Sequence, residues 1–296
     1  MAQVLINLQA NDYEHPFDKV ALEKVKKIPA IPAALNYILN WTYVKWQIVG
    51  LCGSNYHVTK ESCPELFSLA HDVEERLALD RFPELYIQQE YTINAYTTGH
   101  KKDAFIVVMS GAVDRLNDKE LQFVIGHEAG HYKSGHVLYH LLGAYLGLLI
   151  PDIPFLGDTA TAPLNYWNRM SEFTADRAGL LACQDLNAAL SAIMKMSGLP
   201  ERFYESASID GFMKQAREFS ERYGGTADEI IKTVTMLQSN HPWTIMRAGE
   251  LIKWVESGEY ERILKANKGK ECKICGKTCP VDMEFCPICG GKSFES

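Results

Sequence analysis

His127-Glu128-Ala129-Gly130-His131 decides how this chain is read. On a helix, residues four apart share a face, so two imidazoles at this spacing can grip one cation from the same side. Glu128 follows the first imidazole and can reach a water on that cation without binding the cation itself. Such a trio supports hydrolysis: zinc brings the pKa of a bound water toward about 7, and the carboxylate takes its proton as the oxygen attacks a carbonyl. The bland alternative is a pair of histidines satisfied within a core. Just upstream, Asn117-Asp118-Lys119-Glu120 opens a helix, with Asn117 as N-cap and Glu120 closing a capping box. Leu121, Val124 and Ile125 give that helix its apolar face.

A catalytic zinc takes three protein ligands and keeps one position open, so a third ligand is required. Downstream, Glu172 and Asp176 stand four apart in a helix predicted over about Leu164 to Leu181. Glu172 can complete a His, His, Glu site. Asp176, one turn on, can accept a hydrogen bond from the far nitrogen of His127 and fix its tautomer. A solvated acidic face is the competing reading, but apolar Phe173, Ala175 and Ala178 surround the pair. His136 and His140, about one and two turns past His131, are read as non-ligands.

Further out, 296 residues at 47% hydrophobic and 23% charged describe an ordinary globular chain. A net charge of −7 argues against broad nucleic-acid binding. Met1-Ala2-Gln3-Val4 shows no basic region leading into an apolar run, and the cysteines do not spread as a disulfide scaffold would. The expected address is the cytoplasm, with membrane association left open. Val137 to Ile150 is apolar but stops at Pro151, short of the roughly 20 residues that cross a bilayer. Ala33 to Cys52 carries Asn36, Asn40, Lys45 and Gln47. Both are expected as buried or interfacial helices.

Residues 1–57 read as a helical segment with no chemistry of its own. Ser62-Cys63-Pro64-Glu65 reads as a capping box opening a helix through Phe67, Ala70, Val73 and Leu77. Leu85-Tyr86-Ile87 and Phe105 to Met109 read as strands, and Asn94-Ala95-Tyr96, before Gly99, as an edge strand entering a turn. Further helices are expected from Asp185 to Gly198, Ala227 to Gln238 and Ile245 to Ser257.

These motifs occur in the order seen in the HtpX-like zinc metallopeptidases, a family that also contains the CAAX prenyl proteases. The resemblance rests on His127 to His131 followed by Gly135-His136, on Arg169 to Arg177, on Asn94-Ala95-Tyr96, and on His241-Pro242 with Arg247, and covers roughly Val58 to Leu251. It implies peptide-bond hydrolysis and an α+β, mostly helical gluzincin-type domain with a small mixed sheet. It further implies that Asn94, Ala95 and Tyr96 pair with substrate backbone and that His241 steadies the developing oxyanion. Arg247 would hold Asp176, hold a substrate group, or form a plain surface salt bridge. The transmembrane helices of HtpX proteins have no clear counterpart here.

At the other end, Cys272-x-x-Cys275 and, ten residues on, Cys286-x-x-Cys289 have the spacing of a zinc ribbon. Four thiolates leave no open position, so this second zinc is expected to be structural; Cys279 is surplus. The expected organisation is a helical segment (1–57), a zinc metallopeptidase domain (58–264), a linker (265–270) and a ribbon (271–296). Expected partners are a peptide or protein substrate and a protein contacting the ribbon, with peripheral membrane contact left open and nucleic acid disfavoured. The competing function is a non-catalytic zinc-binding adaptor that works through the ribbon.

Overall fold

The structure, a computed structural model, describes residues 2–40, 42–100, 103–149, 155–223, 225, 242–276, 278–280 and 283–294. Its N-terminal helices are α1 (Ala10–Tyr13), α2 (Pro16–Lys26), α3 (Ile31–Asn40) and α4 (Thr42–Ser54). Strand β1 (Tyr56–Val58), helix α5 (Pro64–Arg76) and strands β2 (Glu84–Gln88), β3 (Ala95–His100) and β4 (Asp103–Met109) follow. Then come α6 (Ser110–Arg115), α7 (Asp118–Lys133), α8 (Val137–Leu149), α9 (Phe155–Cys183), α10 (Leu186–Met196) and α11 (Ile209–Arg222). After these run α12 (Thr244–Glu256), α13 (Glu259–Ala266) and the short strands β5 (Gly269–Glu271) and β6 (Thr278–Pro280).

The main sheet has the order β1-β2-β4-β3. β2 and β4 are parallel, while β1 and β3 are antiparallel to their neighbours. Alternation sets its two faces. Ile106 and Val108 turn inward to the main core with Leu85 and Ala95, while Phe105 and Val107 turn outward with Tyr86 beneath Leu51 of α4. Covered on both sides, β4 reads as a continuous apolar run. β3 forms one edge of the sheet.

Helices α7 and α9 pack against each other through small residues. Gly130 faces Ala178, where an added Cβ would lie 2.5 Å from the alanine Cβ, and Gly179 faces the Phe123 carbonyl at 2.7 Å. No side chain keeps the backbones apart, so groups on their facing sides can meet. A second cluster joins Ala21 and Val25 of α2, Ala34 and Ile38 of α3, Leu141 and Leu142 of α8, and Trp167 and Phe173 of α9. The N-terminal helices are therefore built onto the back of α9. Among the described residues no helix is long and apolar enough to cross a membrane.

Asn117 caps α7 and Glu120 closes the box, as expected. At Ser62 the expectation fails. α5 is capped by Cys63 with Pro64 opening it, and Ser62 Oγ instead donates to the His57 carbonyl and accepts from the Thr59 N–H, holding the preceding turn. α9 begins before Leu164 because Pro163 is carried inside the helix and does not end it. The helix expected over Ala227 to Gln238 lies outside the described residues.

Candidate metal centre

One turn of α7 presents His127 and His131 to Glu172 on α9. His127 Nε2 lies 3.4 Å from Glu172 Oε2, His131 Nε2 lies 3.3 Å from Oε1, and the two Nε2 atoms are 3.2 Å apart. One donor atom from each residue falls within 4.8 Å of the others, and all three side chains are buried. Two imidazoles and a carboxylate converging in this way fit a cation that accepts nitrogen and oxygen, zinc above all. The protonation pattern agrees. Burial lowers the His127 pKa, but hydrogen bonds to Asp176 and Glu172 outweigh it and push the imidazole up to about 9, marking a site that attracts positive charge. Burial, reinforced by the neighbouring imidazoles, keeps His131 below its ordinary value, with its lone pair available. A cation bound here would be held by His127 in its deprotonated form.

Both imidazoles are held from behind. His127 Nδ1 meets Asp176 Oδ1 at 2.9 Å, and Arg247 of α12 grips the same carboxylate from the other side. Burial opposes ionisation of Asp176, yet Arg247 and then His127 hold its carboxyl below the usual range. His131 Nδ1 meets His136 Nδ1 at 3.0 Å, and His136 Nε2 meets Asp18 Oδ2 of α2 at 3.1 Å. Burial works against the Asp18 charge too, but hydrogen bonds from His136, Thr174 and Trp167 prevail. Nothing local in the sequence marks Asp18, which lies far from the motif along the chain and reaches it through the packing of α2 on α9. His140, read as a non-ligand, bonds Ser171 Oγ at 2.9 Å.

Glu128 lies beside the cluster, buried, and accepts a hydrogen bond from Thr97 Oγ1 at 2.7 Å. Thr97 escaped the sequence reading, although its signal was period two: on β3, Ala95 and Thr97 share the face turned toward α7. Asn94 accepts the Met109 N–H at 3.0 Å, and Tyr96 turns to the opposite face, where its hydroxyl donates to Gln88. A cleft of about 320 Å³ opens over the cluster, lined by Asn94, Ala95, His127, Glu128, Glu172 and Pro242 among others. His241 lies outside the described residues.

At the C-terminus, Cys272, Cys275, Cys286 and Cys289 also gather, each with its sulfur within 4.8 Å of the others. Gly276 and Gly290 take positive φ angles (69° and 71°), letting the chain turn back on itself after each pair. N–H groups of Cys289 and Ile288 draw the Cys286 thiol down to about 6, favouring the thiolate. Cys279 Sγ sits 3.6 Å from Cys286 Sγ and is buried.

A buried His, His, Glu cluster with a carboxylate beside it, open to a cleft along a strand edge, has the donor set that a metallopeptidase centre needs. The profile of Peptidase family M48 matches residues 65–155. The plastoglobule-localized metallopeptidase 48 of Arabidopsis thaliana chloroplasts is 31% identical over 264 residues, covering 88% of this chain and 76% of that protein. An HtpX protease homolog of Ralstonia pickettii is 24% identical over 234 residues, covering 69% and 78%, and the HtpX protease of Acinetobacter baumannii is 28% identical over 158 residues, covering 40% and 52%. The chain belongs to peptidase family M48, among its HtpX-like zinc metallopeptidases. No solved structure gives a significant match.

Proposed function

We propose that the chain is an endopeptidase that uses a single catalytic zinc, held by His127, His131 and Glu172, with Glu128 as general base. The observation that carries this reading is the convergence of those three buried side chains beside Glu128 at the floor of a cleft. Zinc bound there would polarise the scissile carbonyl and acidify the attacking water. Glu128, oriented by Thr97, takes the proton of that water and hands it to the departing amine. Substrate lies extended along Asn94, Ala95 and Tyr96, adding a strand to the exposed edge of β3. His241, one residue before the cleft-lining Pro242, steadies the developing oxyanion.

In the same reading, Cys272, Cys275, Cys286 and Cys289 hold a structural zinc, and the ribbon serves protein contact, with Ile274 and Ile288 exposed beside its cysteines. The address is the cytoplasm with peripheral membrane contact. Trp46 and Val49 stand exposed on α4, and one relative is named for its place on plastoglobules.

Glu128→Gln tests the central claim. The variant is expected to keep its zinc and to lose cleavage of a casein-type substrate by several orders of magnitude. Retained cleavage would sink the mechanism. An adaptor working through the ribbon would be indifferent to the change.

A further inference from the structure

We infer that Asp18 and His136 are positioning residues of the metal centre, which makes the N-terminal helix α2 part of the machinery that aims His131. The inference rests on the proposed zinc ligation by His127, His131 and Glu172.

The sequence builds this support in two places. Gly135, with φ of 72°, ends α7 in a left-handed turn where the Gly135 N–H reaches the Tyr132 carbonyl and the His136 N–H reaches the His131 carbonyl. These are the paired bonds of a Schellman motif, which brings the residue after the glycine back against the last turn of the helix. That residue is commonly apolar. Here it is His136, and its ring sits behind His131 with the two Nδ1 atoms 3.0 Å apart. The second place is α2, where Asp18 is fully buried against α9 and His136.

With an ion on His131 Nε2, one proton assignment satisfies every contact. His131 turns Nε2 toward the ion site, so its proton lies on Nδ1 and is donated to His136 Nδ1. His136 then carries its own proton on Nε2 and donates it to Asp18 Oδ2. The carboxylate also accepts from Thr174 Oγ1 at 2.6 Å and from Trp167 Nε1 at 2.8 Å. No Lys or Arg pairs with Asp18 among the described residues, and a neutral His136 meets it through a hydrogen bond. A carboxylate buried this deeply without a cation is costly unless hydrogen bonds satisfy it, and Trp167, Thr174 and His136 do so. The chain of bonds puts that charge to use by fixing the tautomer, ring angle and basicity of His131, as carboxylates behind metal-bound histidines do. Asp176 acts directly on His127; Asp18 acts on His131 through one more imidazole.

The test uses the full chain, with zinc affinity measured by competition against a chromophoric chelator and the ligand field read from the visible spectrum of the cobalt-substituted protein. Asp18→Asn and His136→Gln are expected to weaken the His-site zinc about 10–100-fold and to shift its cobalt bands. The cysteine site should bind as before and serve as an internal control. Thr174→Val, which leaves the carboxylate but removes one donor to it, should shift both readouts in the same direction by less, and it carries the test should Asp18→Asn fail to fold. Unchanged affinity and spectrum in these variants would overturn the inference, and so would losses that strike both metal sites in proportion to loss of fold. His127→Ala and Glu172→Ala are run beside them. Should these also keep native affinity, the underlying zinc assignment fails and not the positioning role alone.

Discussion

Arg247 grips Asp176 with both arms of its guanidinium, Nη2 to Oδ1 at 2.6 Å and Nε to Oδ2 at 2.8 Å, and both side chains are buried. The sequence allowed a surface bridge, a substrate contact or this clamp, and burial with two-point geometry decides for the clamp. Through Asp176 it sets the ring of His127. Arg247→Lys keeps the charge but loses the planar fork, so the His-site zinc affinity should fall about 10–100-fold by equilibrium dialysis. Arg247→Ala leaves Asp176 as an uncompensated buried charge and should cost about 3–5 kcal/mol in denaturant unfolding. A neutral Lys substitution would contradict the clamp.

Gly130 sits within the motif and has a separate task. A methyl group there meets Ala178, so Gly130→Ala must push α7 from α9 and carry Glu172 away from both histidines. Overpacking of this kind costs about 1–3 kcal/mol. The expected result is a lower urea midpoint together with weakened zinc at the His site. A stable variant with full zinc affinity would show that the two helices need not approach so closely.

The candidate ligand cluster was legible as two local pieces. Helical periodicity sets His127 against His131 and Glu172 against Asp176, and few residue types ligate zinc. Asp18 was not legible, because its contact with His136 arises only when α2 packs on α9, and Thr97 showed only the period that puts it on the face of Ala95, not that this face meets Glu128. Ser62 misled for the opposite reason. Its local hydrogen bonds to the preceding turn compete with helix capping, and spacing alone does not say which wins.

Two separate clusters could each hold a metal ion, one at the histidines and one at the cysteines, and the proposed function predicts about two zinc ions per chain. Replacing Cys275 and Cys289 together by Ser should reduce the count to about one, by metal analysis of the purified protein. Both are replaced because Cys279 Sγ, 3.6 Å from Cys286 Sγ, is close enough to stand in for a single lost thiolate. A count that stays at two in the double variant would mean the ribbon cysteines are not the ligands.

Glu250 of α12 ties the site to the N-terminal segment, with His15 Nε2 at 3.3 Å and Lys253 Nζ at 2.8 Å. Burial raises its pKa, but these partners outweigh it and bring the carboxyl from 4.5 down to about 2. The folded chain therefore holds this group ionised at acidities where the unfolded chain has protonated it. The resulting stabilisation is complete above about pH 4.5 and is lost as the pH falls toward about 2. Glu250→Gln should be less stable than the native chain by about 1–3 kcal/mol at neutral pH. That gap should close on stepwise acidification, followed by urea unfolding of the two proteins side by side. A gap that stays constant through this range would mean that the charge of Glu250 contributes nothing and its shape alone matters.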